Sequence, residues 1–214
     1  MPRILVTGWT LALAAICLPL AAADTNADEV AQLRQRVTQL EKRVQEISEF
    51  LEPLKGQQAT IASRRKALQP KINQRLSADR DKYSADDLVE AERLYSIISQ
   101  KPDTKECADS YKTLTEKYPD NNRTGCAVLY MAQRATGEER IKNLQLCIEK
   151  YNNCIYGDSV QVGAYARFLL EKEYSIKGEL KKAADLAADL KANYADAVDH
   201  AGNLLVDQAV MTAK

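Results

Sequence analysis

The chain repeats one short motif: it reads Glu-Lys-Tyr-Pro-Asp at residues 116–120 and Glu-Lys-Tyr-Asn-Asn at residues 149–153. The tyrosines of the two copies are 33 residues apart, and Tyr194, in a comparable stretch, follows after another 43. Each stretch ends a run of helical periodicity and is rich in turn-forming residues. A unit of this length that ends in a turn predicts a series of helix pairs.

Helical stretches separated by short turns fill the chain from Ser84 onward, without strand alternation of useful length. Residues with capping side chains mark three of the helix starts, at Ser84, Asp103 and Thr136. The expected helices end near residues 99, 118, 135, 151, 174, 194 and 212, and the last of them begins near residue 195. The sequence therefore predicts an all-α fold.

These helix pairs resemble the tetratricopeptide-repeat (TPR) family, whose unit is a helix–turn–helix of about 34 residues. The resemblance is carried by small, large and proline positions of the first and third pairs: Ala91, Leu94, Cys107, Tyr111, Pro119, Ala183 and Leu190. The sequence departs from the family where Tyr95, Leu129 and Glu171 replace a small residue. The resemblance implies a right-handed α-α superhelical array (a solenoid) over residues 84–213, with the last helix as its cap.

The segment before the repeats, residues 24–56, carries a narrow apolar stripe. Its apolar residues alternate at spacings of three and four over four heptads. They are Val30, Leu33, Val37, Leu40, Val44, Ile47, Leu51 and Leu54. Because the stripe is narrower than the apolar face of a globular helix, it predicts an oligomerising coiled coil in preference to an amphipathic helix packed on its own domain.

Charges beside the stripe favour parallel copies in register. In that arrangement Arg36 of one chain faces Glu41 of the next, and Glu29 faces Arg34. Valine at the a positions with leucine at most d positions is typical of dimers. The segment from Arg36 to Glu41 instead resembles the Arg-h-x-x-h-Glu motif of parallel trimers, in which h is apolar. The sequence thus favours a homotrimer over a dimer.

Two helix breakers follow the stripe. Pro53 lacks a backbone donor and Gly56 comes shortly after it, so we expect the coil to end near residue 52. Residues 57–82 then form a helical connector that Pro70 interrupts. The basic triplet at residues 64–66 is typical of a solvated helix face.

The first 23 residues are typical of a secretory signal peptide. One basic residue, Arg3, precedes an apolar run that ends in three alanines at residues 21–23. A retained membrane anchor is the alternative, but polar residues interrupt the run and no charged stop-transfer flank follows it. Cys17 is preceded by Ile16, which does not fit the bacterial lipid-attachment pattern. We therefore expect a periplasmic or secreted protein without a stable membrane span.

The order of signal peptide, short coil and TPR-like repeats resembles the periplasmic coiled-coil/TPR family of the Tol–Pal system. That family trimerises through its coil and coordinates envelope constriction with peptidoglycan synthesis. The resemblance implies a non-catalytic scaffold or adaptor of the cell envelope that binds protein or peptide partners. The alternatives are an envelope enzyme subunit that acts on peptidoglycan and a periplasmic holdase chaperone.

Composition argues against several function classes. The chain has 30 basic and 30 acidic residues, so no basic excess favours nucleic-acid binding. A single histidine, His200, makes a histidine-based metal or catalytic site improbable, and eight glycines form no phosphate-binding motif. Asp199 precedes His200, but neighbours in a helix do not face each other, so we interpret His200 as a capping or surface residue. The sequence predicts no enzyme activity, no cofactor and no metal.

Four cysteines remain after signal cleavage, in a compartment where disulfides persist. Cys126 and Cys147 lie at similar distances from the turn at Gly137, so we expect them side by side on neighbouring helices. A Cys126–Cys147 disulfide is the preferred pairing and Cys147–Cys154 the rival, whereas Cys107 has no nearby mate. The alternative is four ordinary buried thiols.

All ten tyrosines lie at residue 83 or later, and most of them are expected to pack in the repeat core. The concave side of a TPR array is lined by the first helix of each pair. The candidate partner-binding residues on those helices are Arg123, Tyr130, Arg134, Tyr165 and Phe168.

Overall fold

The computed structural model of the protein describes residues 25–209; the predicted signal peptide and the last five residues lie outside this range. It divides between Lys55 and Gly56 into two compact units, which are described separately. The described residues are helical, which confirms the all-α class. No strand forms among them, only isolated bridges that pair Ile155 with Gln161 and Val198 with Leu204. Their helices are α1 Thr25–Lys82, α2 Ala85–Gln100, α3 Lys105–Lys117, α4 Asn122–Arg134, α5 Gly137–Glu149, α6 Val162–Ile176, α7 Leu180–Asn193 and α8 Leu205–Ala209.

The first unit contains the N-terminal part of α1, where the apolar stripe lies. The predicted break near residue 52 is wrong, because α1 continues through Pro53 and Gly56 to Lys82. Pro53 cannot donate to the carbonyl of Glu49, but the residues around it are exposed, so water can reach that carbonyl. The interruption predicted at Pro70 is absent for the same reason, since the surface of α1 at Lys66 and Pro70 is open.

In the second unit, the rest of α1 packs on the loops that join the helix pairs. Leu68 and Ile72 are buried there. Arg64 donates to the carbonyl of Gly202 at 3.1 Å and Arg65 to that of His200 at 3.0 Å. These two arginines were expected on a solvated face, but both have fixed partners on the loop that follows α7. The predicted connector is therefore an integral part of the folded unit.

Consecutive helices of this unit pack in pairs, α2 with α3, α4 with α5 and α6 with α7. The junctions between pairs differ, because α4 packs mainly on α2 whereas α6 packs mainly on α5. Each junction encloses a core cluster: one lies around Leu94 and Leu114, one around Leu129 and Leu144, and a third around Leu190 beside α8. The pairing of helices follows from apolar residues spaced at helical intervals on each of them.

Helix ends follow the capping pattern in part. The hydroxyl of Ser84 accepts from Asp87 N at 3.2 Å, as expected. Thr104 rather than Asp103 caps α3, since Asp103 has a positive φ of 64° and belongs to the preceding turn. Thr136 occupies the N-cap of α5, but its side chain makes no capping hydrogen bond.

The last helix is much shorter than expected, because α8 begins only at Leu205. Residues 195–204 form a loop instead. The carboxylate of Asp199 accepts from Asn203 N at 2.9 Å, and Gly202 adopts a φ of 86° that turns the chain. Over residues 25–209, no helix combines the length and the apolar character that crossing a bilayer would need.

Candidate functional site

The three candidate residues on α4 lie on one face of that helix and contact α2 or the turn after it. Arg123 forms an ion pair with Glu92, and its guanidinium lies 5.0 Å from the centre of the Tyr95 ring. The Tyr130 hydroxyl donates to the carbonyl of Ser99 at 3.3 Å. These residues therefore fasten the first two helix pairs together, and any partner that contacts them also contacts that junction.

Arg134 extends this face toward the end of α4. It forms an ion pair with Asp103, and its guanidinium lies 5.9 Å from the centre of the Tyr130 ring. Its side chain retains 37% of its exposure, compared with 28% for Arg123. The exposed edge of this face is consequently at Arg134.

The two candidate residues on α6 have different environments. Phe168 is 4% exposed and belongs to the core beside α8, which removes it from any surface open to a partner. Tyr165 is half-buried, and its ring centre lies 5.9 Å from that of Phe168 and 5.4 Å from that of His200. The alternation of buried and half-buried positions on α6 accounts for this difference, since residues three apart need not share a face that is fully open.

A row of aromatic rings connects Tyr165 with the face that carries Arg123. Tyr156 lies in the loop before α6, with its ring centre 5.2 Å from His200 and 6.5 Å from Tyr95. This aromatic row consists of Tyr95, Tyr156, His200 and Tyr165. Sequence reasoning chose Arg123 and Tyr165 but missed Tyr156, which lies in a loop without helical periodicity.

His200 binds a carboxylate that is remote in sequence. Its Nδ1 lies 2.8 Å from an oxygen of Asp158, whereas the adjacent Asp199 bonds Asn203 and Gln208. Burial disfavours the ionised form of Asp158, but the hydrogen bond and charge of His200 hold its pKa below the usual range. Among the described residues, no hydroxyl or thiol side chain is hydrogen-bonded to the His200 ring. The pair joins two loops and lacks the geometry of an activated nucleophile.

The four cysteines of residues 25–209 are free, buried thiols. Cys107 lies in the core of the first pair, whereas Cys126, Cys147 and Cys154 share the central core. Cys154 packs against α4 so closely that a Cβ at Gly125 would lie 2.5 Å from its sulfur. Burial raises the pKa of all three central thiols, which keeps them protonated. A Cys126–Cys147 bond stays a prediction, to be checked by non-reducing peptide mapping.

No part of the described chain brings together three or more His, Cys, Asp or Glu side chains in an arrangement that could hold a metal ion. The largest polar concavity of the second unit is a cleft of about 720 Å³ between α1 and the loops. Its walls are α1 from Lys71 to Ala78, the turn at Asp120, the loop after α5 and the end of α7. The carboxamides that line it are Gln74, Asn152, Asn153, Gln161 and Asn193.

A hydrogen-bond network built on Asn122 fixes the inner wall of this polar cleft. Asn122 N donates to both oxygens of Asp79, at 3.0 and 3.3 Å, so that α1 caps α4. The Asn122 side chain donates to the carbonyl of Ile155 at 2.9 Å and accepts from its N–H at 2.8 Å. Burial raises the pKa of Asp79, while Asn122 N and Arg75 oppose that shift. The loop at Ile155 is thus held at a fixed distance from α1.

Sequence reasoning missed this cleft entirely. Asn152 and Asn153 were interpreted only as a turn, and Lys71 and Arg75 only as surface positions of a connector. The one available signal was the concentration of asparagines after α5, which exceeds what a short turn needs. No protein-family model, curated protein or solved structure matches this chain significantly, so its site must be judged from its own geometry.

Proposed function

We propose that the protein is a non-catalytic scaffold or adaptor of the bacterial cell envelope that multimerises through residues 24–56 and binds protein or peptide partners through its TPR-like repeats. The observation that carries the proposal is the exposure of the apolar stripe on α1. All eight of its a and d side chains are at least 40% exposed, from Val30 at 40% to Val44 at 62%. An apolar stripe of this length in water marks an interface.

The most economical occupant of that interface is another copy of the same stripe. The described part of the first unit, residues 25–55, is helical for about 45 Å at 1.5 Å per residue. Its polar contacts are local, such as the Gln45–Glu49 hydrogen bond and the Lys42–Glu46 ion pair. They leave the stripe uncovered, and the Arg36–Glu41 motif favours three parallel copies.

Multimerisation would raise the avidity of the repeat units. Copies joined by a coil present several identical surfaces, so a partner with several docking segments binds more tightly without new contacts. The partly exposed face at Tyr130 and Arg134 is one such surface. His200, which binds only Asp158, gives no support to a hydrolytic centre.

Cross-linking in the intact periplasm, followed by affinity purification and mass spectrometry, tests the proposal. We expect self-linked oligomers and a short, reproducible set of envelope proteins. The Leu40→Asp variant should lose the oligomers and most of that set, whereas Gln39→Asp, on the outer face of the heptad, should retain both. An unselective client spectrum would indicate a holdase, and release of fragments from peptidoglycan by the purified protein would indicate an enzyme.

A further inference from the structure

The polar cleft contains a buried donor without an acceptor. Gln161 is 8% exposed and lines the cleft where α6 begins. Its Oε1 accepts from Lys71 Nζ at 3.5 Å, but its Nε2 has no hydrogen-bond partner among the described residues. Buried amide groups in folded proteins are nearly always satisfied. The unpaired Nε2 therefore indicates that an acceptor oxygen is supplied from outside the chain.

Cations surround that donor and favour a negatively charged acceptor. Lys71, Arg75 and Lys150 line the cleft against a single acidic residue, Asp120. Lys71 remains half-exposed in its ion pair with Asp196, and Lys150 is exposed, so both ammonium groups can reach a ligand. A carboxylate is the acceptor that suits an amide donor beside an ammonium group.

The remaining lining suits a peptide backbone. Gln74 stands on the α1 side of the cleft, and Asn153 and Asn193 stand on the loop and α7 sides. Carboxamides offer both donors and acceptors, which is what the alternating N–H and C=O groups of an extended peptide require. The volume of about 720 Å³ accommodates an acidic side chain with a few flanking residues.

We propose that this cleft binds an acidic peptide segment of a partner protein, with a Glu or Asp carboxylate that accepts from Gln161 Nε2 and Lys71 Nζ. This inference rests on the proposed function and deepens it, because it names the chemistry of a partner and the place where it docks. The cleft lies between α1 and the loops, away from the Tyr130–Arg134 face.

The test is direct titration of the full-length chain with a fluorescein-labelled GEGEG peptide amide, followed by fluorescence anisotropy. The neutral GQGQG peptide amide serves as the matched probe. We expect binding of the acidic peptide only, together with a shift of the Gln161 side-chain NH2 signals in a ¹H–¹⁵N spectrum. Equal binding of both peptides, or no shift at Gln161, would overturn the proposal.

Variants locate the binding. Gln161→Glu replaces the free donor by a carboxylate of the same shape, and Lys71→Gln removes the neighbouring charge. Each should raise the Kd at least about tenfold. Gln133→Glu makes the same change at another buried amide with an unpaired Nε2, and Lys181→Gln removes an exposed lysine elsewhere; both should stay within about twofold.

Folding is controlled separately. The Gln161 side chain makes no capping bond to α6, so Gln161→Glu should retain the helicity and melting temperature of the wild type. If that variant fails to fold, Lys71→Gln and the Gln161 signals of the wild type decide. Repetition with Leu40→Asp separates the two proposals. Peptide binding by a monomer supports the cleft whatever the fate of the coil, whereas an oligomer that ignores the peptide supports only the scaffold.

Discussion

The two halves of α1 have apolar residues at similar helical spacing but differ in what covers them. In residues 25–55 every a and d side chain of the stripe is at least 40% exposed. In the second half, Leu68 is fully buried and Ile72 is 8% exposed. The polar contacts differ in the same way: those of the first half are local, whereas Arg64, Lys71 and Asp79 bind residues 43 to 138 positions away. Apolar period alone therefore does not identify what a helix packs against.

The largest expected effect concerns the first half. Leu40→Asp places a charge in each layer of the predicted coil, where no partner compensates it. We expect association to weaken at least about a hundredfold, measured by sedimentation velocity. The melting temperature of the second unit should not change, because Leu40 is 58% exposed. Equal weakening by Gln39→Asp would mean that the stripe is not the interface.

The second half should respond in stability rather than in association. Leu68→Ala removes a fully buried side chain and should lower the free energy of unfolding by about 2–5 kcal/mol. Leu76→Ala, at a position that is 37% exposed, should cost less than about 1 kcal/mol. All ten tyrosines lie at residue 83 or later, so urea titration followed by tyrosine fluorescence reports on this unit. Similar losses for both variants would contradict the packing described for Leu68.

Two glycines sharpen the comparison further. Gly202 has a φ of 86°, and a Cβ there would lie 2.5 Å from a methyl carbon of Ile61 in α1. Gly202→Ala should therefore destabilise the second unit by about 1–3 kcal/mol in urea unfolding. Gly56 lies inside α1 with no atom within 4 Å of its Cβ position, so Gly56→Ala should stabilise the helix by up to about 1 kcal/mol. A neutral Gly202→Ala variant would show that the loop does not press on α1.

The smallest effect is a pH dependence at the loop that α1 contacts through Arg65. The folded pKa of Asp158 lies below its ordinary value of 3.8. Its contribution to stability is thus present above that value and lost as the pH falls through the lower folded pKa. Because the pair with His200 is partly exposed, Asp158→Asn should cost less than about 1 kcal/mol at pH 6. Thermal melts at decreasing pH should show this difference disappear below pH 3.8; a constant difference would exclude ionisation as its cause.

The sequence predicted the helices of the repeat region well, because Ser84, Pro119 and Gly137 give local start and stop signals. It failed where long-range contacts overrule local propensity. Pro53 and Pro70 do not end α1, and the stretch after Tyr194 forms a turn around Asp199 instead of a long helix.

The candidate site was harder to predict than the fold. Arg123 and Tyr165 were correctly placed near one another, through Tyr156 and His200, but Phe168 belongs to the core. The polar cleft depends on side chains from α1, from the loop after α5 and from the end of α7, which the sequence separates by more than 100 residues. No local pattern marks such a meeting.

The central claim is that the exposed stripe of residues 30–54 joins copies of this chain. Sedimentation equilibrium of the chain without its first 23 residues tests it most directly, across the micromolar range. The account predicts a mass that is an integral multiple of the monomer mass, with three copies favoured by the Arg36–Glu41 motif. A monomeric mass at every concentration would contradict it.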